Sequence, residues 1–223
     1  MNSEVYLMDC IQGMKQFPDK HFELAIVDPP YGIGQNWSKD RKGQFYKHRN
    51  TFNNSIPGDE YFTELFRVSQ HQIIWGANYY WNYLRPSNNL IFWDKGKDAM
   101  TQFGSAGEIA WTSLTKFPLV KIALDWNGCV VCEKGERVHP HQKPIMLYSW
   151  TLKNYAKVGD RILDTHLGSG SSRIAAHKAG LDFVGFEIDK EYFDAQEKRF
   201  KQYLSAPTLF DSKKVLGLQM SIE

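Results

Sequence analysis

The stretch from Arg161 to Glu187 limits the fold more than any other part of the chain. Arg161-Ile162-Leu163-Asp164 is a short apolar run closed by an acid. Thr165-His166-Leu167-Gly168-Ser169-Gly170 follows, ahead of a helix predicted to start near Ser171. Phe183-Val184-Gly185-Phe186 is a second apolar run, closed by Glu187. Gly168 and Gly170 permit a tight turn and let a ligand approach the backbone closely. Glu187 lies about twenty residues beyond the first glycine, where a ribose-binding acid sits in nucleotide-binding α/β units. Strand, glycine loop, helix, strand and acid in this register say far more than an isolated G-x-G, which also fits an ordinary packing turn. The bulky Arg173 stands where a third glycine would belong. The pattern therefore predicts a nucleoside-bearing cofactor without a pyrophosphate.

The rest of the chain supplies further strands and helices in alternation. Val5 to Met8, ending at Asp9, and Glu23 to Val27 read as strands, as do Gln72 to Trp75, Leu90 to Trp93 and Glu108 to Trp111. A helix is predicted from Gly58-Asp59, with Tyr61, Phe62, Leu65, Phe66 and Val68 on its inner side; another runs from Pro144 to Tyr155, with proline near its start. Such alternation predicts an α/β sheet covered by helices on both faces. Residues 34–57 are polar and lack periodicity, so they read as a long functional or mobile loop.

Asp28-Pro29-Pro30-Tyr31 ends the apolar run Leu24-Ala25-Ile26-Val27. Two prolines remove backbone donors and force a rigid, extended exit from the sheet. A carboxylate, a free carbonyl and an aromatic face are thereby held at one sheet edge. That set suits a planar substrate with an exocyclic amine, whose hydrogens the oxygens accept while Tyr31 stacks on its ring. Taken alone, the stretch fits a turn acid before Pro-Pro equally well.

A chain of 223 residues, 42% hydrophobic, has enough apolar content for one full core. Its net charge of +2 means that affinity for nucleic acid must come from local patches. No signal pattern opens the chain and no apolar run reaches membrane-spanning length. Three cysteines fit a reducing cytoplasm better than a disulfide framework.

With both motifs in view, the chain resembles the amino-methyltransferases of DNA, in the permuted group whose target-amine motif precedes the cofactor motif. The resemblance covers nearly all of 1–223 and includes Trp75-Gly76-Ala77-Asn78-Tyr79 and Leu90 to Lys95. It implies a single Rossmann-like methyltransferase domain with a seven-stranded mixed sheet and helices on both faces. It also implies S-adenosylmethionine as cofactor and double-stranded DNA as partner, and allows a homodimer and a cognate restriction nuclease. Asp28, Pro29, Pro30 and Tyr31 correspond to the catalytic tetrapeptide. Asp164, Thr165, His166, Gly168, Ser169 and Gly170 correspond to the cofactor loop, Glu187 to the ribose acid, with Ile188 beside it. Asp9 and Cys10 stand where the family contacts the cofactor adenine. His139-Pro140-His141-Gln142-Lys143-Pro144 resembles the segment near the methionine part, which brings in His141, Gln142 and Lys143; Asp28 is a further cofactor neighbour.

Two departures are visible. Thr165 and His166 replace the proline and aromatic usual in the family's cofactor loop, and 112–138 is a short stretch for a target-recognition insert. Lys39, Arg41, Lys42, Lys47, His48 and Arg49, interleaved with Trp37, Phe45 and Tyr46, are candidates for gripping phosphates and filling the gap left by a flipped base. An aspartate at Asp28 leans toward adenine N6 rather than cytosine N4. A non-catalytic DNA-binding protein and a nicotinamide oxidoreductase are the rivals from other classes. No metal is expected: Cys129 and Cys132 precede His139 and His141, but His-x-His misses the usual zinc spacing. Ala206 to Phe210 resembles a sliding-clamp peptide without its leading glutamine and reads better as a tail anchor.

Overall fold

A computed structural model of the chain describes residues 1–32, 37–39, 45–47, 55–96, 105–124, 138–139 and 141–206. In chain order the elements are β1 (Ser3–Leu7), α1 (Cys10–Met14), β2 (Phe22–Val27), β3 (Trp37–Lys39), β4 (Phe45–Lys47), α2 (Asp59–Val68) and β5 (Ser69–Trp75). They continue with a 3-10 turn (Ala77–Tyr79), β6 (Leu90–Asp94), β7 (Gly107–Thr112), β8 (Leu119–Ala123), α3 (Ile145–Tyr155), β9 (Arg161–Asp164), α4 (Ser171–Ala179), β10 (Asp182–Glu187) and α5 (Lys190–Ser205).

One eight-stranded sheet runs β1-β10-β9-β2-β5-β7-β6-β8. Pairing is parallel from β1 to β5, antiparallel on both sides of β7, and parallel again between β6 and β8. The α/β class, the mixed sheet and the helices on both faces agree with the sequence reading. The strand count does not, being eight rather than seven. The added strand, β8, comes from the segment assigned to target recognition. Only Ile122 of its five residues is buried, so the sequence carries little core signal there. A second departure is the β3–β4 hairpin inside the expected loop 34–57. Three-residue strands are too short to show a period of two, although aromatic residues favour pairing.

Alternation within the central strands divides the core in two. Leu24 and Ile26 of β2, with Ile73 and Trp75 of β5, pack against Leu147 and Leu152 of α3 and Ala175 and Ala176 of α4. Ala25 and Val27, with Ile74, pack against Met14 of α1 and Tyr61, Phe62, Leu65 and Val68 of α2. Side chains of period two thus feed both faces, which is why these parallel strands read as unbroken apolar runs.

Arg173 explains its own departure from the glycine pattern. It is buried on α4 and donates to Ser3 Oγ at 3.0 Å and Gln196 Oε1 at 3.0 Å. It also pairs with Glu197 and lies 3.9 Å over the Phe200 ring. A side chain this engaged ties β1, α4 and α5 together.

Candidate active site

Sheet order brings the two motifs together. β2 pairs directly with β9, with Leu24 opposite Ile162 and Ala25 opposite Leu163. The chain leaves β2 through Asp28-Pro29-Pro30-Tyr31 and leaves β9 through the glycine loop, so both exits open at the same carboxyl edge. Ligands in open α/β sheets bind at such edges.

Asp28 sits in a charge network that sequence reading recognised only in part. Its Oδ2 is 2.5 Å from Lys143 Nζ, and its Oδ1 accepts the Tyr31 hydroxyl at 2.5 Å. Lys143 also reaches Glu108 Oε2 at 2.9 Å, and Lys95 reaches Glu108 Oε1 at 2.5 Å. Side-chain exposure is 5% for Lys143, 14% for Asp28 and 19% for Glu108. These are shielded charges, held by mutual pairing. Burial pushes the Asp28 carboxyl up, Lys143 draws it back down and Glu108 adds a further upward push; it stays above the usual aspartate value. Burial also disfavours the Glu108 anion, but Lys143 and Lys95 outweigh it and hold that carboxyl at about 2. For Lys143 burial disfavours the cation, and the two carboxylates more than compensate, raising it.

Tyr31 is fixed on several sides. Its hydroxyl donates to Asp28, accepts from Lys143 at 2.9 Å and lies 3.1 Å from Glu108 Oε2. Its ring stacks on Tyr79 with centroids 4.8 Å apart at 12°. Gly76, at φ +71°, lets the backbone pass beside that ring: a Cβ there would lie 2.2 Å from Tyr31. Tyr80 donates to the carbonyls of Pro29 at 2.6 Å and Pro30 at 2.8 Å. Both prolines therefore have their carbonyls engaged, and each oxygen keeps a second lone pair.

The glycine loop is built around two carboxylates. Glu187 Oε2 accepts the Gly168 N–H at 2.8 Å, and Oε1 accepts the Asp189 N–H at 2.9 Å. Gly168 and Gly170 have φ +51° and +72°, and a Cβ on Gly168 would meet the His139 ring at 3.3 Å. Asp164 accepts the His166 N–H at 3.0 Å and the Ser172 hydroxyl at 2.5 Å, which closes the loop onto α4. Ser169 Oγ lies 3.1 Å from Ser171 Oγ, and Arg199 donates to the Ser169 carbonyl. Thr165 Oγ1 lies between the Tyr61 hydroxyl, at 2.7 Å, and His166 Nδ1, at 3.0 Å. Ile188 is 68% exposed beside Glu187.

The remaining candidates divide into three groups. Asp9 caps α1 by accepting the Gln12 N–H at 3.0 Å. Cys10 follows it, and burial together with Asp9 pushes its thiol up to about 12. In the segment before α3, Gln142 accepts the Val138 N–H at 3.1 Å and His141 is exposed. Lys143 instead turns to Asp28, 115 positions away. Lys39 and Lys47 lie on β3 and β4, while Arg41, Lys42, His48, Arg49, Cys129, Cys132 and Pro207 to Phe210 lie outside the described residues. Among the described residues, no group of three His, Cys, Asp or Glu could hold a metal ion, and no helix is long and apolar enough to cross a membrane. Sequence reading missed Glu108, Lys95 and Tyr80. The available signal was Glu108 itself, a carboxylate within an apolar strand, because a shielded charge requires a partner.

Burial lifts Asp164 to about 7, despite the hydrogen bonds from Ser172 and His166 that oppose it. A raised carboxyl contributes stability below its unfolded value near 4 and loses it as pH rises through about 7. Without cofactor, Asp164 is expected to cost on the order of 3 kcal/mol between pH 5 and pH 8. Asp164→Asn should flatten that slope in denaturant titrations; parallel profiles for the two proteins would contradict the assignment.

Comparison with known proteins now identifies the group. The DNA methylase family matches residues 48–198, a span that includes the glycine loop and Glu187 and begins after Tyr31. YubD of Escherichia coli (strain K12), a protein named as a methylase, is 25% identical over 213 residues, covering 86% of this chain and 87% of its own. The type II methyltransferase M.HinfI of Haemophilus influenzae is 23% identical over 258 residues, covering 89% of this chain and 68% of its own. Among solved structures, the M1.HpyAVI complex with S-adenosylmethionine matches with a TM-score of 0.59 at 19% identity, over 89% of this chain and all of that one. The cytosine-N4-specific PvuII DNA methyltransferase matches with a TM-score of 0.60 at 14% identity, over 97% and 91%. The chain belongs to the DNA methylase family.

Proposed function

We propose that this chain transfers a methyl group from S-adenosylmethionine to the N6 amine of a flipped adenine in double-stranded DNA. The observation that carries the reading is the pairing of β2 with β9, which sets Asp28-Pro29-Pro30-Tyr31 beside the glycine loop of a DNA methylase. The residues fit the cofactor. Each Glu187 oxygen takes one backbone N–H and keeps capacity for a ribose hydroxyl, while Ile188 offers an apolar face next to it. When bound, S-adenosylmethionine supplies an electrophilic methyl group on a sulfonium.

The protein's own task is alignment and charge placement. An incoming amine takes the place of the Tyr31 hydroxyl at Asp28 Oδ1 and donates its second hydrogen to the free lone pair of the Pro29 carbonyl. Two acceptors on one nitrogen draw it toward tetrahedral geometry and stabilise developing positive charge. Lys143 remains on Asp28 Oδ2 and favours its ionised form against the opposing effect of burial. Asp28 then takes the proton that the methylated nitrogen releases. Flipping a base costs a few kcal/mol, and stacking on an aromatic ring returns ~1–3 kcal/mol. Tyr31 supplies that ring once the base displaces Tyr79 from it. Lys39 and Lys47 on the hairpin, with Arg41, Lys42 and Arg49, neutralise phosphates. Adenine is favoured by the aspartate at the head of the tetrapeptide, and product analysis of methylated nucleosides tests the choice of base.

Glu187→Ala is expected to weaken S-adenosylmethionine binding about 10- to 100-fold, because a charged acceptor of two hydroxyls is lost. Calorimetric titration checks it; unchanged affinity would refute the ribose assignment.

A further inference from the structure

Thr165 and His166, the two residues that depart from the expected cofactor loop, form a defined hydrogen-bond chain with α2. Tyr61 is 1% exposed and Thr165 is 2% exposed. Among the described residues, the Tyr61 hydroxyl has Thr165 Oγ1 as its one hydrogen-bond partner, at 2.7 Å, and Thr165 Oγ1 continues to His166 Nδ1 at 3.0 Å. Three proton arrangements are open to this chain. In one of them Tyr61 and a His166 Nδ1–H both donate to Thr165, whose own buried hydrogen then has no acceptor among the described residues. If Thr165 donated to Tyr61, the buried phenolic hydrogen would have no acceptor, at a full desolvation penalty. If Tyr61 donates to Thr165 and Thr165 donates to Nδ1, every hydrogen in the chain is satisfied. This last arrangement makes Nδ1 an acceptor and puts the imidazole proton on Nε2.

Nε2 has no protein partner among the described residues, while the His166 backbone N–H is held by Asp164 at 3.0 Å. The loop that carries it leaves β9, between β10, which ends at Glu187, and β2, which ends at Asp28. A cofactor whose ribose lies on Glu187 and whose reacting end faces Asp28 must cross this position. We propose that His166 is a neutral hydrogen-bond donor to the amino-acid carboxylate of S-adenosylmethionine, fixed in its Nε2–H tautomer by Tyr61 and Thr165. Tyr61 and Thr165 are then positioning residues, and His166 is the contact. The inference rests on the methyl-donor reading above.

Neutrality has a purpose at this place. An imidazolium beside a sulfonium would repel it, whereas a neutral N–H binds the carboxylate without that penalty. Burial holds the imidazole down at about 4, against the opposing pull of the Asp9 carboxylate, and the Tyr61 ring packs edge-on at 5.4 Å.

The tautomer is read by nitrogen-15 NMR of the imidazole in the full chain without cofactor. The expected result is Nε2–H in the wild type and in Thr165→Ser, with mixed tautomers in Thr165→Val; an Nδ1–H wild type would overturn the proposed chain. The contact is read by calorimetry with S-adenosylmethionine and its decarboxylated analogue. His166→Phe is expected to weaken binding of the intact cofactor about 10- to 100-fold and to leave affinity for the analogue nearly unchanged. His166→Gln, which keeps a donor near the Nε2 position, should recover part of the loss. Equal losses for both ligands, or none for either, would overturn the carboxylate contact. A wild-type protein that binds neither ligand would sink the methyl-donor reading and the contact with it, while the NMR result would still decide the tautomer.

Discussion

Asp28→Ala should reduce methyl transfer by about 10³-fold or more while cofactor affinity stays within about twofold. In the proposed reaction Asp28 offers acceptors where the amine develops charge, and its carboxylate is engaged with Tyr31 and Lys143 rather than with the glycine loop. Its loss therefore acts on the transition state and spares the ground-state complex. The protein should remain folded, because Lys143 keeps its second partner, Glu108, at 2.9 Å. Single-turnover transfer of labelled methyl groups, paired with calorimetric titration of the same preparation, measures both effects. Retained turnover would remove Asp28 from the chemistry, and a parallel loss of cofactor binding would give it a different role.

Lys143→Met should have the largest effect on stability. The ammonium stands between Asp28 and Glu108, and its removal leaves two shielded carboxylates facing each other with Lys95 as the remaining cation. Breaking one side of such a pair costs roughly 3–5 kcal/mol. The pH dependence follows from the charges. In the wild type Glu108 is held at about 2, so its contribution is present above the ordinary glutamate value and fades as pH falls toward about 2. Without Lys143, protonation of either carboxylate relieves the repulsion, so the gap between the two proteins should narrow from pH 7.5 to pH 5. Denaturant titrations at both pH values test this. A pH-independent difference would mean that the lysine acts through packing of its stem.

Much of this arrangement was legible in the sequence because it depends on local signals. An apolar run closed by Asp28 and two prolines, and another closed by Asp164 and two glycines, each specify a strand and the shape of its exit. The glycine loop's acid appeared at its expected distance, and the structure sets Glu187 on Gly168. Contacts across long separations carried no such signal. Lys143 read as part of a cofactor-adjacent segment, and only the pairing of distant strands sets it on Asp28. Glu108 resembled one polar residue in a strand until β7, antiparallel to β5, turned it toward Tyr31. Tyr80 is buried about fifty positions from the prolines whose carbonyls its hydroxyl anchors, so nothing local marked it. The eighth strand and the short hairpin escaped because three to five residues hold too little periodicity.

Tyr31 shows how a residue type can be right while its present state is unexpected. The ring expected to receive a base is stacked on Tyr79, and its hydroxyl occupies the acceptor intended for the amine. Tyr79 is 37% exposed and follows directly on the Gly76 turn, so one side chain can vacate the ring without unpacking the core. In the proposed reaction, substrate binding would exchange these internal partners for a base of similar shape and donor pattern, which limits the net cost of opening the site.

The most direct measurement is transfer of labelled methyl groups from S-adenosylmethionine to unmodified genomic DNA, followed by mass analysis of the digested nucleosides. N6-methyladenine, absent with Asp28→Ala, is the expected product. N4-methylcytosine would keep the chemistry and contradict the base, and no methylated nucleoside from cofactor-bound protein would contradict the proposed reaction.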